Sequence, residues 1–302
     1  MRSIRKSCAR KLFPLAISAA AQLLPVFQAS AIIDAALQMQ LGNPTGAMID
    51  TNNHSHYLIQ RTVEAIDYND NLRQPNWASW DLTASDYVVN GPRSGSFFTD
   101  TSLPAGFYLV TSGLYNGSGW NRGHMCPSAD RTDNATDNDL VFLMSNIIPQ
   151  DPNQNQGVWG EFEDYCRSML STQEVLITCG PRNFGTTTVG GQVYIPSNTW
   201  KIVVCAPLGS GTAYSRLTNA TAASIRVIAI DIPNSPQSNS WPSFVTSAKQ
   251  IQQLTGFTFF NALPNNLAWN LRSKVDGVAA AAPTFGSFSP SSGSQSRSSM
   301  TG

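Results

Sequence analysis

Charged side chains are scarce in this chain, since Asp, Glu, Lys and Arg make up 13% of its 302 residues. Apolar residues account for 41%. Disordered proteins have the opposite balance, with few apolar residues and a high net charge. The composition therefore excludes a disordered protein, and the length is sufficient to bury one large core or two modest ones.

Long apolar runs are missing after the first thirty-one residues. Those residues begin with MRSIRKSCARK, which carries five positive charges, continue with the apolar LFPLAISAAAQLLPVF and end with the small residues ASA. This order is typical of a signal peptide with its cleavage site. A run of about sixteen residues broken by Pro14 and Pro25 is short for the alternative, a membrane anchor. We expect residues 1–31 to be an export signal and the mature protein to be secreted, extracellular or periplasmic, with no membrane span.

An excess of positive charge is also missing. Removal of residues 1–31 takes away five of the nineteen Lys and Arg and none of the nineteen acids, so the net charge falls to about −5. This excludes a broadly basic nucleic-acid-binding protein. A polyphosphate substrate would have to be attracted by a local cluster of arginines and a divalent cation.

Strand patterns dominate the mature chain. After a polar leader (residues 32–56), strands are predicted at residues 57–66, 77–82, 174–180, 193–196, 200–205 and 224–230. Helices are predicted at residues 156–169 and 243–255, the second ended by Gly256. Because strands outnumber helices and follow one another, we predict an α+β domain with a mainly antiparallel sheet core at residues 57–276.

Two segments contain no predicted helix or strand. An irregular stretch of about thirty residues follows residue 82 and includes Arg93, and loops of that length are often functional. Residues 277–302 are rich in Ala, Gly, Ser and Pro, which predicts a non-catalytic tail. Within it, PTFGSFSPSSG resembles the opening strand of an IPT/TIG immunoglobulin-like module, but it is too short to form one.

Histidine is scarce too, with His54, His56 and His124 as the only examples. His124 follows Gly123, which lets the backbone approach closely, and Arg122, whose guanidinium can bind two phosphate oxygens. Because a neutral imidazole accepts a proton near pH 7, His124 is the candidate general base. His54 and His56 could be a metal-binding pair, but without a third ligand nearby we favour a solvated loop.

Asn155 and Glu163 are the candidate residues for a metal site. Asn155 lies at the start of the predicted helix and Glu163 eight residues later. At about 100° per residue, the two side chains are roughly 80° apart around the helix axis and separated by about two turns along it. Both can therefore face one pocket. Hydrolysis of a phosphodiester needs a nucleophilic water, neutralisation of charge in the transition state and help for the leaving oxygen. The residues together predict a metal-assisted nuclease.

Three blocks of the sequence lie close together: NRGH at residues 121–124, SNIIPQ at residues 145–150 and NQGVWGEFE at residues 155–163. They resemble the signature of the DNA/RNA non-specific endonucleases, the ββα-metal family that includes secreted bacterial nucleases and endonuclease G. The order and spacing match the family pattern Asp-Arg-Gly-His, Asn-x-x-Pro-Gln and Asn-x-x-x-Trp-x-x-x-Glu. Weaker similarity extends over residues 57–270. The resemblance implies a ββα-metal catalytic motif.

The resemblance also implies the role of each matching residue. His124 would be the general base on water, and Asn155 would be the one direct protein ligand of Mg²⁺, with Mn²⁺ as an alternative. Glu163 would hold metal-bound water. Arg122 and Arg93 would bind the substrate phosphate and neutralise it in the transition state.

Some positions have a structural alternative or depart from the family. The resemblance implies that Asn146 orders the site, although Asn146 and Asn155 could simply be turn and helix-cap residues. Glu163 could be a solvated helix residue. Asn121 stands where the family has an acid, which we expect to loosen the arginine or shift the metal preference without abolishing activity. Three other charges are expected to be surface or structural groups: Arg131, Arg167 and Lys201.

The implied substrates are DNA and RNA. Contacts confined to phosphate and metal read no base edges and require no 2′-hydroxyl, so we expect hydrolysis without sequence specificity. Two other functions remain open on the sequence: a catalytically inactive nuclease fold that acts as a binding module, and a phosphodiesterase for small substrates.

Four cysteines remain when Cys8 is removed with the export signal. An even number is typical of disulfides in an exported protein. We predict one bridge from Cys126 to Cys166, next to the base and the metal helix, and another from Cys179 to Cys205 on neighbouring strands. The alternative is four free, buried thiols.

Overall fold

A computed structural model describes residues 36–277. The predicted export signal and the predicted tail from residue 278 onward lie outside the described residues. Within residues 36–277 the chain forms a seven-stranded sheet, antiparallel throughout, and a separate two-stranded hairpin. The fold is therefore α+β with a mainly antiparallel core, as predicted.

The strands are numbered in chain order. The large sheet has the order β1 (Tyr57–Gln60), β2 (Ala65–Asn69), β3 (Gln74–Leu82), β6 (Gln173–Val189), β7 (Val193–Pro207), β8 (Arg226–Pro233) and β9 (Val245–Thr246). The hairpin consists of β4 (Asn121–His124) and β5 (Ile147–Gln150). Both strands of the hairpin lie in the sequence between β3 and β6.

The helices are short. They are α1 (Ala135–Val141), α2 (Pro152–Gln154), α3 (Gly160–Ser168), α4 (Ala213–Asn219), α5 (Ala248–Thr255) and α6 (Asn265–Arg272). A π-helical turn, Asn155–Trp159, joins α2 to α3. Four 3-10 turns complete the described elements: Ser112–Tyr115, Ser128–Asp130, Met144–Asn146 and Trp241–Phe244.

Several predicted boundaries are wrong. The single strand predicted at residues 57–66 is a hairpin of β1 and β2, closed by a hydrogen bond from the Arg61 backbone N–H to the Glu64 carbonyl. The two strands predicted within residues 193–205 are one strand, β7, which pairs with β6 along most of its length. Helix α5 begins only at Ala248, after the Ser247 side chain caps it, and it ends at Gly256 as predicted, with φ +78°.

Alternate residues of the sheet pack on opposite faces. On β7, Val203 and Cys205 belong to one apolar cluster, which also contains residues of α3 and β5. Ile202 and Val204 belong to a second cluster, formed with residues of α4, α5 and α6. The sheet thus separates the helices α4, α5 and α6 from the unit formed by β4, β5 and α3.

The described part of the predicted leader packs against the domain. Leu41 and Ala47 are buried in the second cluster, and the Thr45 hydroxyl donates to Oδ2 of Asp67 at 2.7 Å. No helix within residues 36–277 has the length and apolar character needed to cross a membrane.

Candidate active site

The β4–β5 hairpin positions the first block of candidate residues. Gly123 lies at its centre, where an added Cβ would be 1.9 Å from Oε1 of Gln150. Since side chains alternate along a strand, Arg122 and His124 project from the same side of β4. The hairpin and the helical segment α2 to α3 that follows it form a ββα unit.

The ring of His124 lies between two phenylalanines. The ring centroids are 5.2 Å from Phe97 and 4.7 Å from Phe142. Neither ring nitrogen makes a hydrogen bond within residues 36–277, and Nε2 is buried. Burial, together with the positive charge of Arg93, lowers the pKa of His124 from 6.5 to about 3. The imidazole is therefore neutral at pH 7 and can accept a proton.

Two arginines lie around the same phenylalanines. The guanidinium carbon of Arg93, an exposed residue of the long irregular segment, is 5.3 Å from the centroid of Phe142. That of Arg122 is 5.6 Å from the centroid of Phe97. Nε and Nη2 of Arg122 also donate to the carbonyl of Ser112, at 3.0 and 2.6 Å. The structure thus brings both predicted arginines close to the histidine. Arg122 is held by the 3-10 turn, whereas Arg93 makes no hydrogen bond within residues 36–277.

Asn155 is held by its side-chain nitrogen. Nδ2 donates to Oδ1 of Asn121 at 3.0 Å, and Nε2 of Gln156 donates to the same oxygen at 2.8 Å. Asn155 opens the π-helical turn, an irregularity frequent at functional sites, in which Gly157 leaves the helical region at φ −98° and ψ −110°. No residue from 36 to 277 donates to Oδ1 of Asn155, so this oxygen is available to a ligand.

The available donors fit a hard divalent cation. The described residues contain no group of three or more His, Cys, Asp or Glu that could hold a metal ion. A neutral amide oxygen with water in the other positions suits Mg²⁺, which dehydrates reluctantly. The amide oxygen of Asn155, oriented by the bond to Asn121, therefore fits the single-ligand site that the resemblance implies.

Glu163 forms an ion pair with Lys201, a residue of β7. Nζ of Lys201 donates to Oε1 of Glu163 at 3.1 Å, and the glutamate side chain is 14% exposed. Burial raises the pKa of Glu163, and the positive charge of Lys201 opposes this increase. No described residue donates to Oε2. Glu163 is therefore not a solvated helix residue.

Asn146 lies inside the ββα unit. Its Oδ1 accepts from the backbone N–H of Cys126 at 3.0 Å, and its Nδ2 donates to the carbonyls of Cys126 and Val141 at 2.9 and 2.8 Å. These bonds join the chain just after β4 to the end of α1. The side chain is fully buried, and its bonds link the backbone segments around the histidine.

The predicted disulfides are absent, since Cys126, Cys166, Cys179 and Cys205 are all free and buried. The β6–β7 register places Val175, not Cys179, opposite Cys205. Cys179 lies four residues along β6 from Val175, which displaces it from Cys205 by roughly 13 Å along the strand. This is far beyond the Cα separation that a disulfide spans. Cys179 instead contacts the Met125 carbonyl. Each of the four thiols has a pKa raised by burial.

The family model described as DNA/RNA non-specific endonuclease matches residues 42–266. This chain belongs to that family. The endonuclease is 38% identical over 242 residues to a nuclease of Nostoc sp., an alignment that covers 80% of this chain and 86% of that protein. It is 26% identical over 216 residues to mitochondrial endonuclease G of Bos taurus, with 70% of each chain covered.

The endonuclease also shares its fold with a solved structure. A chain of the EndoG/EndoGI complex superimposes with a TM-score of 0.65 at 19% identity, covering 82% of this chain and 98% of that one. Family and relatives together identify the protein as a DNA/RNA nuclease enzyme. This favours an enzyme over the inactive binding module that the sequence left open.

Sequence reasoning missed the site's principal buried charge in this endonuclease. Lys201, predicted to be a surface or structural charge, is 1% exposed and contacts Glu163. A signal existed, because a single lysine lies within the apolar strand TWKIVV. Arg131 is structural as predicted, since it is buried and donates to the carbonyls of Val63 and Asp81. His54 and His56, both partly exposed, pair with the carboxylates of Asp70 and Asp67.

Proposed function

We propose that this endonuclease hydrolyses phosphodiester bonds of DNA and RNA without sequence specificity, with His124 as general base and Mg²⁺ on Asn155. One observation carries the proposal. Asn121, the first residue of β4, holds the amide of Asn155, and His124 is the last residue of the same four-residue strand. A base and a candidate metal ligand are thus linked through one short rigid element.

The proton of the attacking water would go to His124. Nε2 is buried, so we assign proton uptake to Nδ1. The low pKa keeps the ring unprotonated before substrate binds. A bound phosphate would offset the charge of Arg93 and so raise the basicity of the imidazole.

Arg93 and Arg122 would bind the phosphate. Guanidinium groups form two parallel hydrogen bonds to phosphate oxygens and stabilise charge that develops in the transition state. Arg93 is exposed and has no competing hydrogen bond within residues 36–277, so it can move to the substrate. Arg122 is anchored to the 3-10 turn and would act as a fixed group. Asn146 would order the backbone around His124.

Oδ1 of Asn155 would bind the cation directly. Oε2 of Glu163 would accept hydrogen bonds from water bound to the cation. When bound, Mg²⁺ would supply positive charge for the phosphate and the leaving oxygen. Mn²⁺ has similar ligand preferences and would serve as an alternative. We further propose that residues 1–31 direct export, so that the enzyme acts outside the cytoplasm.

Digestion of plasmid DNA and of RNA by the purified protein tests the proposal. We expect both to be degraded with Mg²⁺, degradation to stop with EDTA, and activity to return when Mg²⁺ is added in excess. A chromogenic phosphodiester serves as the comparison. Cleavage of that diester with intact plasmid and RNA would favour a phosphodiesterase for small substrates and contradict the proposal.

A further inference from the structure

Lys201 is a buried lysine at the centre of the large sheet. It lies on β7, opposite Cys179 of β6 on one side and Ile230 of β8 on the other. Its side chain is 1% exposed, and lysines are almost never fully buried unless paired. Both neighbouring strands fix its backbone, so the sheet determines the point from which the lysine side chain extends.

Two tryptophan rings lie close to this ammonium group. Nζ is 4.2 Å from the centroid of Trp159 and 5.5 Å from that of Trp80. Trp159 ends the π-helical turn that Asn155 opens. Burial is the largest single influence on Lys201 and disfavours its charged form, but the surrounding acidic groups, Glu163 first among them, together outweigh burial, so the pKa of the lysine is raised. The group is therefore a cation held within the site rather than a neutral amine.

Glu163 receives the one hydrogen bond that this ammonium group makes within residues 36–277. Two other charges act on the glutamate: Asp130, which raises its pKa, and Arg167, which lowers it. These two also pair with each other, Nη1 of Arg167 lying 2.7 Å from Oδ1 of Asp130. Lys201 is thus the direct partner of Glu163, and it binds one carboxylate oxygen while the other stays free.

We propose that Lys201 is a positioning residue for hydrolysis: it holds Oε1 of Glu163 and so fixes the orientation of the carboxylate, which leaves Oε2 to accept hydrogen bonds from water in the site. This inference rests on the role proposed above for Glu163. A pair that served stability alone could be replaced by apolar or neutral groups of similar volume with little loss. A positioning pair could not, because the free oxygen would lose its orientation.

The test compares Lys201→Met, Glu163→Gln and the double variant, each in the full chain, by kcat and KM on plasmid DNA at saturating Mg²⁺. We expect Lys201→Met to lower kcat by about 10- to 100-fold, as the loss of an outer partner at a metal site does. KM should stay within about twofold, because substrate binding is not removed. In the Glu163→Gln background, Lys201→Met should cause no further loss. Lys249→Met is the matched control, since Nζ of Lys249 also lies over a tryptophan ring, 5.2 Å from the centroid of Trp269.

Each outcome decides the inference. Wild-type kcat in Lys201→Met, with Glu163→Gln impaired, would overturn it and leave the proposed function intact. A loss that persists in full in the Glu163→Gln background would also overturn it, because Lys201 would then act independently. Wild-type kcat in Glu163→Gln would remove the proposed role of that glutamate and this inference with it. The double variant contains no unpaired buried charge, so if Lys201→Met does not fold, a kcat below that of Glu163→Gln still overturns the inference.

Discussion

Nδ2 of Asn155 donates to Oδ1 of Asn121 at 3.0 Å, and the amide oxygen of Asn155 is left without a protein donor in the described residues. Asn121 stands where the family pattern has an acid, yet the bond needs only an acceptor oxygen. Gln156 donates to the same oxygen, so the acceptor could not be exchanged for a donor without breaking both contacts. The departure from the family pattern therefore keeps the orientation of Asn155 while it removes one negative charge beside it.

Asn121→Asp should retain both hydrogen bonds and add a negative charge next to the proposed cation. We expect half-maximal activity at a lower Mg²⁺ concentration, with kcat equal to or above that of the wild type. Asn121→Leu removes the acceptor and should lower kcat about 10- to 100-fold. Plasmid cleavage over a Mg²⁺ titration measures both effects, with Asn219→Leu on the exposed end of α4 as the control. Unchanged activity in Asn121→Leu would mean that this bond does not orient the ligand.

The local part of the site could be predicted from the sequence, because short segments determine it. His124 and Asn155 lie within the ββα unit, whose elements follow one another closely along the chain. The strand at residues 57–66 was predicted wrongly because the turn at Arg61 and Glu64 contains neither Gly nor Pro, and an ion pair closes it instead. A turn closed by an ion pair cannot be recognised from the residue types that usually mark turns in a sequence.

Contacts between distant segments could not be predicted. The pairing of Lys201 with Glu163 joins residues 38 positions apart, and it depends on the β6–β7–β8 register. The same register separates Cys179 from Cys205, although both lie on neighbouring strands as expected. An even cysteine count carries no information on register, so the disulfide prediction failed where the strand prediction succeeded.

Gly123→Ala should destabilise the hairpin and lower activity. The new Cβ would meet the side chain of Gln150, 1.9 Å from Oε1, and overpacking of a buried contact costs about 1–3 kcal/mol. Because β4 must then move relative to β5, we expect kcat to fall together with the unfolding midpoint. Gly95→Ala is the matched control, since nothing lies within 4 Å of its added Cβ. Equal stability of the two variants in thermal unfolding would contradict the close contact between Gly123 and the Gln150 side chain.

The two arginines should respond differently to truncation. Arg93→Ala should lower kcat about 100-fold or more, as loss of a donor that stabilises charge in the transition state does, with little change in unfolding midpoint, because Arg93 is exposed. Arg122→Ala should lower both, since Arg122 also binds the Ser112 carbonyl. Arg93→Lys keeps the positive charge but not the paired hydrogen bonds, so its kcat should lie between those of the wild type and Arg93→Ala. A large stability loss in Arg93→Ala would show that its role is structural.

All four thiols should be unreactive in the native protein. Cys126, Cys166, Cys179 and Cys205 are buried, and burial raises the pKa of each thiol. We expect an alkylating reagent to label these positions only after denaturation, without prior reduction. Peptide mapping measures each position separately, so Cys8 does not interfere. A cysteine that is labelled only after reduction would restore the disulfide prediction for that residue.

His124→Asn separates the chemistry of the ring from its effect on stability. We expect kcat at pH 7 to fall at least about 100-fold, since general base catalysis contributes that much. The folded protein holds the ring at a pKa of about 3 against 6.5 when the ring is free in water, so between these values the unfolded chain binds more protons. The stability that the neutral ring contributes is therefore present above about pH 6.5 and lost as the pH falls towards 3. Thermal unfolding at pH 7 and pH 4 should show the wild type losing more stability than His124→Asn. Parallel losses would mean that the ring is not buried as a neutral group, and near-wild-type cleavage by the variant would remove it as the base.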